Sequence, residues 1–243
     1  MDQETGWIAG ILEAEGCVER DRLGRCRISI SNTNNQIINC IASFYDKNLI
    51  DYKIYKVLYK NIKYKDLYNI RVHGLNNCYN LIKLLGESFQ CRKIEFLKEL
   101  QTGICDTKAI LTPNLFWLAG LFEGEGTIEL RTNKNSYLPR VQIPNTNENI
   151  IDKILITLKS VGVSWNICTY ERNTPIWRKS WCISITDKIQ IGKFLSLIIN
   201  YLKSDYYKNK AKELLMFCKR RIGIWRVPYT EEDFVAFLRI RGK

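Results

Sequence analysis

The chain has 243 residues, 46% of them hydrophobic, which is long enough to bury one large core or two smaller ones. Its 37 Lys and Arg residues against 25 Asp and Glu residues give a formal net charge of +12, spread along the whole length, which indicates a polyanionic partner such as nucleic acid. Nine scattered cysteines with no C-x-x-C spacing, and a single histidine, argue against a zinc finger, a zinc hydrolase and a histidine-based nuclease.

The first half of the chain alternates helical and extended patterns. A short helix is predicted to begin near Thr5 and to end at Glu15-Gly16. The segment 25–31 alternates apolar and polar residues, which is typical of a half-buried strand with a polar, basic outer face. The other predicted elements of this half are a helix over 32–44, strands at about 53–59 and 66–73, and helices at about 75–85 and 90–101.

The second half repeats the first. The segment WIAGILEAEG at 7–16 returns as WLAGLFEGEG at 117–126, and Asn-Thr-Asn at 32–34 returns at 145–147. These two pairs are separated by 110 and 113 residues. Two later pairs keep the same order: YNIRV at 68–72 with WCISI at 181–185, and RKIEFL at 92–97 with KAKELL at 210–215. A repeat of this length indicates a duplicated domain, since solenoid units recur every 20–50 residues or so.

The duplication divides the chain into two similar units. We predict an N-terminal half-domain over 1–101, a linker over 102–112, a C-terminal half-domain over 113–221 and a tail over 222–243. The second copy is predicted to begin its first helix near Thr112-Pro113, and the tail to end in a short helix capped by Thr230. The later elements of this copy are a strand at 140–143, a helix at 145–158, strands at about 165–171 and 178–186, and helices at about 188–202 and 205–220. The fold class is therefore α+β, with two pseudo-symmetric αββαββα half-domains.

Small residues recur along one side of the first helix of each copy. The spacing is four residues, about one helical turn, in both copies: Gly6, Gly10 and Ala14 in the first, Gly120 and Gly124 in the second. Each set therefore forms a stripe along one side of its helix. Glycine inside a helix costs about 0.5–1 kcal/mol relative to alanine, so the stripe needs a compensating role. Close backbone contact between the two helices is the simplest such role.

Two helices packed in this way bring their C-terminal ends together, and those ends carry Glu15 and Glu125. A carboxylate is disfavoured at a helix C-terminus, and two facing carboxylates repel, unless a divalent cation lies between them. Carboxylates and substrate phosphates are common Mg²⁺ ligands, so Glu15 and Glu125 are the predicted metal ligands. Glu13 and Glu123, by contrast, are expected to be solvated residues near the helix ends.

The two motifs resemble the LAGLIDADG signature, in IAGILEAEG over 8–16 and LAGLFEGEG over 118–126. The whole chain is similar to single-chain, two-repeat LAGLIDADG homing endonucleases, although glutamates replace the usual aspartates. The resemblance implies paired motif helices, two four-stranded sheets that form a saddle on DNA, and metal binding by Glu15 and Glu125. It also implies hydrolysis of one phosphodiester on each strand across the minor groove, leaving short 3′ overhangs.

Further site residues come from the resemblance and from the repeat alignment. The resemblance implies a basic residue near each metal site, and the repeat alignment offers Lys210 in the second half and Arg92 (or Lys93) in the first; a phosphate-binding or surface role is the alternative. Asn32 and Asn145, at the ends of matching strands, are candidates for orienting water, with a turn or helix-cap role as the alternative.

Residues on the outward strand faces are the candidates for DNA contact. These are Arg25, Arg27, Ser29, Lys65 and Arg71 in the first half, and Glu129, Arg131, Asn133, Arg140, Gln142, Arg178 and Ser184 in the second. Arginine and glutamine suit base edges in the major groove, but phosphate contacts are as common, so individual roles stay open. Because the halves differ at these positions, we predict a long asymmetric target bound by a monomer.

The expected partner is double-stranded DNA and the expected cofactor Mg²⁺ or Mn²⁺, with Ca²⁺ supporting binding without cleavage. The first alternative is an intron maturase that binds its own intron RNA on the same scaffold. The others are a non-catalytic sequence-specific DNA-binding protein and a Mg²⁺ enzyme that acts on a small phosphate substrate. Both glutamates favour cleavage, because neither RNA nor DNA binding requires them.

Composition also bears on location. An odd number of thiols with no signal peptide predicts a reducing, intracellular compartment, and no apolar run is long enough to cross a membrane. No targeting peptide is visible, and abundant Ile, Lys and Asn suggest an AT-rich source. We therefore expect an organelle (mitochondrion or chloroplast) or a prokaryotic or phage origin.

Overall fold

The first half-domain contains three helices and four strands among its described residues. The computed structural model describes residues 2–20, 22, 25–58, 66–86, 114–133, 136–171, 179–224 and 228–242. The elements of this half are α1 (Gln3–Glu15), β1 (Gly16–Arg20), β2 (Cys26–Asn32), α2 (Asn35–Lys47), β3 (Tyr52–Val57), β4 (Leu67–His73) and α3 (Leu75–Leu85). The helix predicted at 90–101 and the linker predicted at 102–112 lie outside the described residues.

The second half-domain repeats this order and then extends it. Its elements are α4 (Leu115–Glu125), β5 (Thr127–Asn133), β6 (Ser136–Asn145), α5 (Glu148–Ser160), β7 (Asn166–Tyr170), β8 (Ser180–Ile185), α6 (Lys188–Ile198), α7 (Asp205–Arg221) and α8 (Glu231–Arg241). The predicted αββαββα order is confirmed in both copies. No helix in the described part of the chain is long and apolar enough to span a membrane.

Each half contains one antiparallel four-stranded sheet. The strand orders are β1-β2-β4-β3 and β5-β6-β8-β7, so the two sheets have the same topology. In the middle of each sheet an isoleucine pair faces the core, Ile30 with Ile70 and Ile143 with Ile183, and all four side chains are buried. Because side chains alternate along a strand, this register directs the polar positions of the central strands to the opposite face.

The two half-domains meet along the motif helices α1 and α4, which contact each other more extensively than any other pair of helices in the described residues. A Cβ atom at Gly10 would lie 2.0 Å from the backbone oxygen of Trp117, and one at Gly120 would lie 2.1 Å from that of Trp7. These reciprocal approaches leave no room for a side chain. The glycine stripe therefore permits direct backbone contact between the helices, as predicted.

Helix boundaries differ from the prediction where asparagine caps a helix. Helix α2 begins at Asn35 instead of residue 32, because Asn32 ends β2 and the side chain of Asn34 accepts a hydrogen bond from Gln36 N. In the second copy, Asn114 caps α4 by accepting a bond from Trp117 N, while the predicted Thr112-Pro113 start lies outside the described residues. Asparagine oxygens satisfy helix N–H groups as well as threonine does.

The tail helix α8 has no counterpart in the described part of the first half, and it packs on α7 and the edge strand β5. Thr230 and Asp233 form a reciprocal capping box at its N-terminus, which confirms the predicted cap. The guanidinium Nε of Arg221 donates to Asp233 Oδ2 over 2.9 Å, and both side chains are buried. This buried ion pair fixes the tail against α7.

Candidate active site and nucleic-acid interface

Glu15 and Glu125 are the last residues of the two motif helices. The helices run side by side in the same direction, since Gly10 faces Trp117 and Ala14 faces Gly124. A Cβ atom at Gly124 would lie 3.1 Å from Glu15 Cγ, so the Glu15 side chain rests against the residue that precedes Glu125. The structure therefore brings the two predicted carboxylates to one place at the junction of the halves.

The glycines after the two glutamates serve a different purpose from the one expected of a helix-ending glycine. Gly16 and Gly126 have φ values of −79° and −74°, which any residue can adopt. A Cβ atom at Gly16 would lie 2.3 Å from Leu12 O, and one at Gly126 would lie 2.5 Å from Phe122 O. Glycine is thus required at both positions by close packing, and each strand can then begin immediately beside its glutamate.

The two carboxylates have different surroundings. Glu15 is half-buried, and burial raises the pKa of its carboxyl group above the ordinary value. Among the described residues, no side chain donates a hydrogen bond to it. Glu125 accepts a hydrogen bond from the Asn145 side-chain amide, and Asn145 is itself buried. The two carboxylates therefore differ in their hydrogen-bond partners, so the site is asymmetric.

Asn145 has the turn role that the sequence offered as one alternative, and it also bonds Glu125. Its Oδ1 accepts a hydrogen bond from Asn147 N over 2.8 Å, which turns the chain from β6 into α5, while its Nδ2 donates to Glu125. Asn32 makes the same turn, with Oδ1 2.8 Å from Asn34 N. The turn fixes the orientation of each amide. Among the described residues, Asn145 bonds the glutamate of its own half, and no such bond is found for Asn32.

The expectation that Glu13 and Glu123 are solvated is wrong. Glu13 is 0% exposed and Glu123 is 2% exposed. The Glu123 carboxylate accepts hydrogen bonds from Trp7 Nε1 at 2.7 Å and from the backbone N–H groups of Lys203 and Ser204, just before α7. Burial raises its pKa, although these donors act in the opposite direction. A carboxylate that joins α1, α4 and the start of α7 has a structural role, because it satisfies a helix N-terminus inside the interface.

Tyr207 is a neighbour of the site that the sequence did not reveal. Its hydroxyl donates to Gly126 O over 2.8 Å, directly after Glu125. Burial is the main cause that raises the pKa of this phenol, with contributions from Tyr206, Glu123 and Glu15. The phenol therefore stays neutral and remains a hydrogen-bond donor. It lies three residues before Lys210 in α7, and no motif marks it.

The donor set suits a hard divalent cation. In the described residues there is no group of three or more His, Cys, Asp or Glu side chains that could enclose a metal ion. Glu15 and Glu125 thus offer two carboxylates in an open arrangement, which leaves coordination positions for water and substrate phosphate oxygens. Two oxygen donors in the absence of thiolate or imidazole favour Mg²⁺ or Mn²⁺ over zinc.

Of the basic residues proposed to assist catalysis, Lys210 lies in the described part of the chain, in α7. Lys210 Nζ lies 4.4 Å from the centre of the Tyr206 ring, at a cleft of about 450 Å³ lined by β5 and α8. Glu129 and Arg131 line the same cleft. Arg92 lies outside the described residues, so its assignment stays a prediction, as does a catalytic role for Lys210.

The outer face of the first sheet carries a chain of polar contacts. Arg71 Nε donates to Asn69 Oδ1 over 2.7 Å, and Asn69 donates to Ser31 Oγ over 2.6 Å. Arg27 pairs with Glu19 on the neighbouring strand. Arg25 is exposed beside this face, whereas Ser29 is 7% exposed, and Lys65 lies outside the described residues.

The outer face of the second sheet has a matching ion pair. Glu129 accepts hydrogen bonds from Arg140 Nη2 at 2.7 Å and Arg131 Nε at 2.8 Å. By strand register, Glu129 opposite Arg140 is the counterpart of Glu19 opposite Arg27 in the first sheet. Gln142 donates to Cys182 Sγ over 3.2 Å. The remaining predicted contacts are Asn133, which is exposed, Ser184, which is 8% exposed, and Arg178, which lies outside the described residues.

The single histidine lies among the cations of the first sheet. His73 ends β4 opposite Arg27. Burial lowers its pKa, and the nearby charges of Arg27, Arg71 and Lys53 lower it further. The imidazole is therefore neutral near pH 7, and its position on the outer face, away from the motif helices, argues against a catalytic role.

Comparison with known proteins identifies relatives of the whole arrangement. The family model described as LAGLIDADG-like domain matches residues 2–86 and 113–198, one match in each half. Comparison with curated protein sequences finds no significant match.

Among solved structures, the LAGLIDADG homing endonuclease I-LtrWI bound to target DNA aligns with a TM-score of 0.66 and 16% identity, covering 99% of this chain and 97% of that one. The LAGLIDADG meganuclease I-AabMI bound to uncleaved DNA aligns with a TM-score of 0.64 and 14% identity, with 98% of each chain covered. I-SmaMI, bound to an uncleaved DNA target in the presence of calcium ions, aligns with a TM-score of 0.57 and 14% identity over 100% of this chain and 98% of that one. At these identities the structural matches show the shared fold.

Proposed function

The chain belongs to the LAGLIDADG-like domain family, whose nucleases depend on divalent metal ions, and on that basis we propose that it is a site-specific double-strand DNA endonuclease. One observation carries the proposal. The two motif helices place Glu15 and Glu125 side by side at the junction of two basic sheet faces. A protein that only bound nucleic acid would gain nothing from two adjacent carboxylates, which repel each other and the phosphate backbone.

The residues of the site would divide the work as follows. Glu15 and Glu125 would hold Mg²⁺ or Mn²⁺, which when bound supplies an activated water and neutralises the charge on the phosphate. Asn145 would keep the Glu125 carboxylate in one orientation through its amide. Tyr207 would fix the backbone after Glu125 through Gly126 O. Such positioning matters because small displacements of a reacting group slow phosphoryl chemistry.

The outer sheet faces would bind the duplex. Arg27 and Arg140 occupy equivalent positions, and each is paired with a glutamate on the neighbouring strand. These cross-strand pairs hold the arginine side chains in defined orientations, as base recognition requires. The rest of the two faces differs, with Arg71 and Asn69 in one half and Gln142 and Cys182 in the other. We therefore propose a long asymmetric target bound by a single chain, since one chain already contains both halves.

The test begins with a randomised double-stranded DNA library incubated with the full chain in Mg²⁺, in Ca²⁺ and in EDTA. Sequencing of the ends should reveal one recurrent cleavage site in Mg²⁺ alone, with binding and no cleavage in Ca²⁺. The absence of cuts in Mg²⁺ and Mn²⁺, together with retained DNA binding, would instead support a non-catalytic DNA-binding protein.

A maturase that binds its own intron RNA is the second candidate, because the basic faces suit RNA phosphates equally well. Adding structured RNA to the cleavage assay separates the two functions. Tight RNA binding without DNA cleavage would favour the maturase, whereas cleavage that RNA does not suppress would favour the endonuclease.

A further inference from the structure

Two cysteines lie directly opposite each other on the outer face of the second sheet. Cys168 in β7 is the register partner of Cys182 in β8. Cys168 is exposed and Cys182 is 8% exposed. Directly opposed residues of an antiparallel pair have Cα atoms about 4.5–5.5 Å apart, within the range of about 4.4–6.8 Å that disulfides span. Both side chains point to the outer face, which also carries Gln142 and Ser184. Gln142 and Ser184 lie opposite each other on the neighbouring strands β6 and β8.

The first half has a different pair at these positions. Ile54 opposite Ile70 corresponds to Ile167 opposite Ile183, so the next pair along the strands is Tyr55 with Asn69 in one half and Cys168 with Cys182 in the other. The thiol pair is therefore a feature of the second half alone. It replaces the tyrosine and asparagine that support Arg71 in the first sheet.

We propose that Cys168 and Cys182 form a reversible cross-strand disulfide, and that this modification changes DNA recognition by the second sheet. The second part of this inference rests on the proposed DNA-binding function. The reaction requires a hydroperoxide as oxidant. The exposed Cys168 thiol loses its proton, and its thiolate attacks hydrogen peroxide and breaks the O–O bond; the displaced hydroxide takes up the proton, which yields a sulfenic acid and water. The Cys182 thiol then ionises and its thiolate attacks the Cys168 sulfur, breaking the S–O bond and displacing hydroxide, which its proton converts to a second water. Two thiols and one hydrogen peroxide thus give one disulfide and two waters.

The surroundings decide which thiol pair reacts. Cys26 and Cys78 are also close enough to influence each other, but they are 2% and 0% exposed in the core of the first half. Burial raises the pKa of the Cys78 thiol to about 11, so it forms little thiolate and an oxidant in solution does not reach it. Cys182 is 8% exposed and burial raises the pKa of its thiol as well, so the exposed Cys168 is the thiol that reacts with the peroxide first.

The disulfide would affect DNA recognition by changing the hydrogen bonding of Gln142. In the thiol form, Gln142 Nε2 donates to Cys182 Sγ over 3.2 Å. A disulfide draws that sulfur towards Cys168 and removes the partner of the amide. The released amide can then form the paired hydrogen bonds with adenine that glutamine makes in the major groove. Oxidation should therefore change base preference at one position, with little effect on the phosphate contacts elsewhere.

The first experiment tests the bond itself. The full chain is treated with hydrogen peroxide, unreacted thiols are alkylated, and peptides are mapped by mass spectrometry. We expect a Cys168–Cys182 linkage that dithiothreitol removes, while Cys26 and Cys78 remain thiols. If Cys168 is oxidised without forming a bond to Cys182, the proposal fails whatever the function of the protein.

The second experiment tests recognition. Oxidised and reduced protein select from a randomised duplex library in Ca²⁺, with Cys168→Ser as the matched control because it keeps the Cys182 contact to Gln142. We expect the preference at one base pair to change by about fivefold or more in the wild type and not in Cys168→Ser. An unchanged preference despite a mapped disulfide would overturn the regulatory part. Failure of both forms to bind DNA would contradict the proposed function and leave the result on the disulfide intact.

Discussion

Asn145 donates a hydrogen bond to Glu125, whereas no described side chain does the same for Glu15, although the two glutamates end matching helices. The helices themselves are almost interchangeable, since Gly10 and Gly120 meet the opposite backbone at 2.0 and 2.1 Å. Backbone contact of this kind tolerates no variation, while the groups around each carboxylate can differ. The duplicated protein thus has a symmetric interface and an asymmetric site.

The symmetric part of the comparison predicts equal and large effects at the helix interface. Gly10→Ala and Gly120→Ala should each lower the free energy of unfolding by about 5 kcal/mol or more, because the new Cβ meets a backbone oxygen that cannot rotate away. Urea denaturation measures the loss. The control is Gly192→Ala in α6, where a Cβ has open space. This variant should raise the free energy of unfolding by about 0.5–1 kcal/mol, because alanine favours the helix. A cost for one interface glycine only would show that the halves do not pack symmetrically.

The two halves also differ at the tail. Among the described residues, helix α8 packs on the second half and the first half has no counterpart. Asp233→Asn leaves the buried Arg221 without its anion and should cost about 3–5 kcal/mol. Urea denaturation and hydrogen exchange in 231–241 would report the change. Glu232→Gln, which removes a 3.7 Å contact to Arg220 from a largely exposed side chain, should cost less than about 1 kcal/mol. Similar costs for the two variants would contradict a specific anchoring role.

The same ion pair predicts a pH dependence. Burial alone would raise the pKa of Asp233, but hydrogen bonds from Thr230 and Arg221 outweigh it and hold the pKa below the ordinary value. A depressed carboxyl pKa stabilises the folded state above the unfolded pKa of about 3.9, and that stability is lost as the pH falls further. Protection of α8 from exchange should therefore decrease below about pH 4 in the wild type, and this decrease should be much smaller in Asp233→Asn.

The asymmetry at the carboxylates predicts unequal catalytic effects. Asn145→Ala should slow cleavage by about 10–100-fold, as is typical when the group that orients a metal ligand is removed. Asn32→Ala removes the equivalent turn hydrogen bond, but no bond from Asn32 to Glu15 is found among the described residues, so cleavage should slow less. Strand-specific labels on the target duplex would measure each rate. Equal slowing by both variants would remove the distinction between the two sites.

The smallest expected effect concerns the cleft between β5 and α8. Arg241→Ala removes a cation that lines this cleft with Lys210 and Arg131, and it should weaken DNA binding a few-fold. The slope of log K against log salt should become shallower by about 0.9, as expected for one phosphate contact. Arg239→Ala is the control, because Arg239 lies in the same turn but is bonded to Glu213 over 3.0 Å. Identical slopes for the wild type and Arg241→Ala would exclude the cleft from the DNA interface.

Features that a short segment encodes were predictable from the sequence. The repeated glycines and glutamates reveal the helix interface and the two carboxylates, because their spacing is local and occurs twice. The burial of Glu123 was not predictable, since its partners Trp7 and Ser204 lie 116 and 81 residues away. The pairing of Cys168 with Cys182 likewise depends on strand register, which the alternation of side chains alone does not determine.

The surroundings of Lys210 show the same limit. Repeat alignment selects Lys210 as the basic residue of the second half, but its contact with the Tyr206 ring and its place in the cleft beside β5 depend on how α7 packs. Spacing from a motif does not determine such contacts, and a catalytic role for Lys210 stays a prediction. The remaining expectations, such as the role of Arg92 and the cellular compartment, stay predictions.

The most direct test of the shared active site is the cleavage of a mapped target by Glu15→Gln and Glu125→Gln. Both variants keep the shape of the side chain and remove its charge, so folding and Ca²⁺-supported DNA binding should stay within about twofold of the wild type, while double-strand cleavage in Mg²⁺ is lost. Cleavage of both strands at the wild-type rate by either variant would contradict the account.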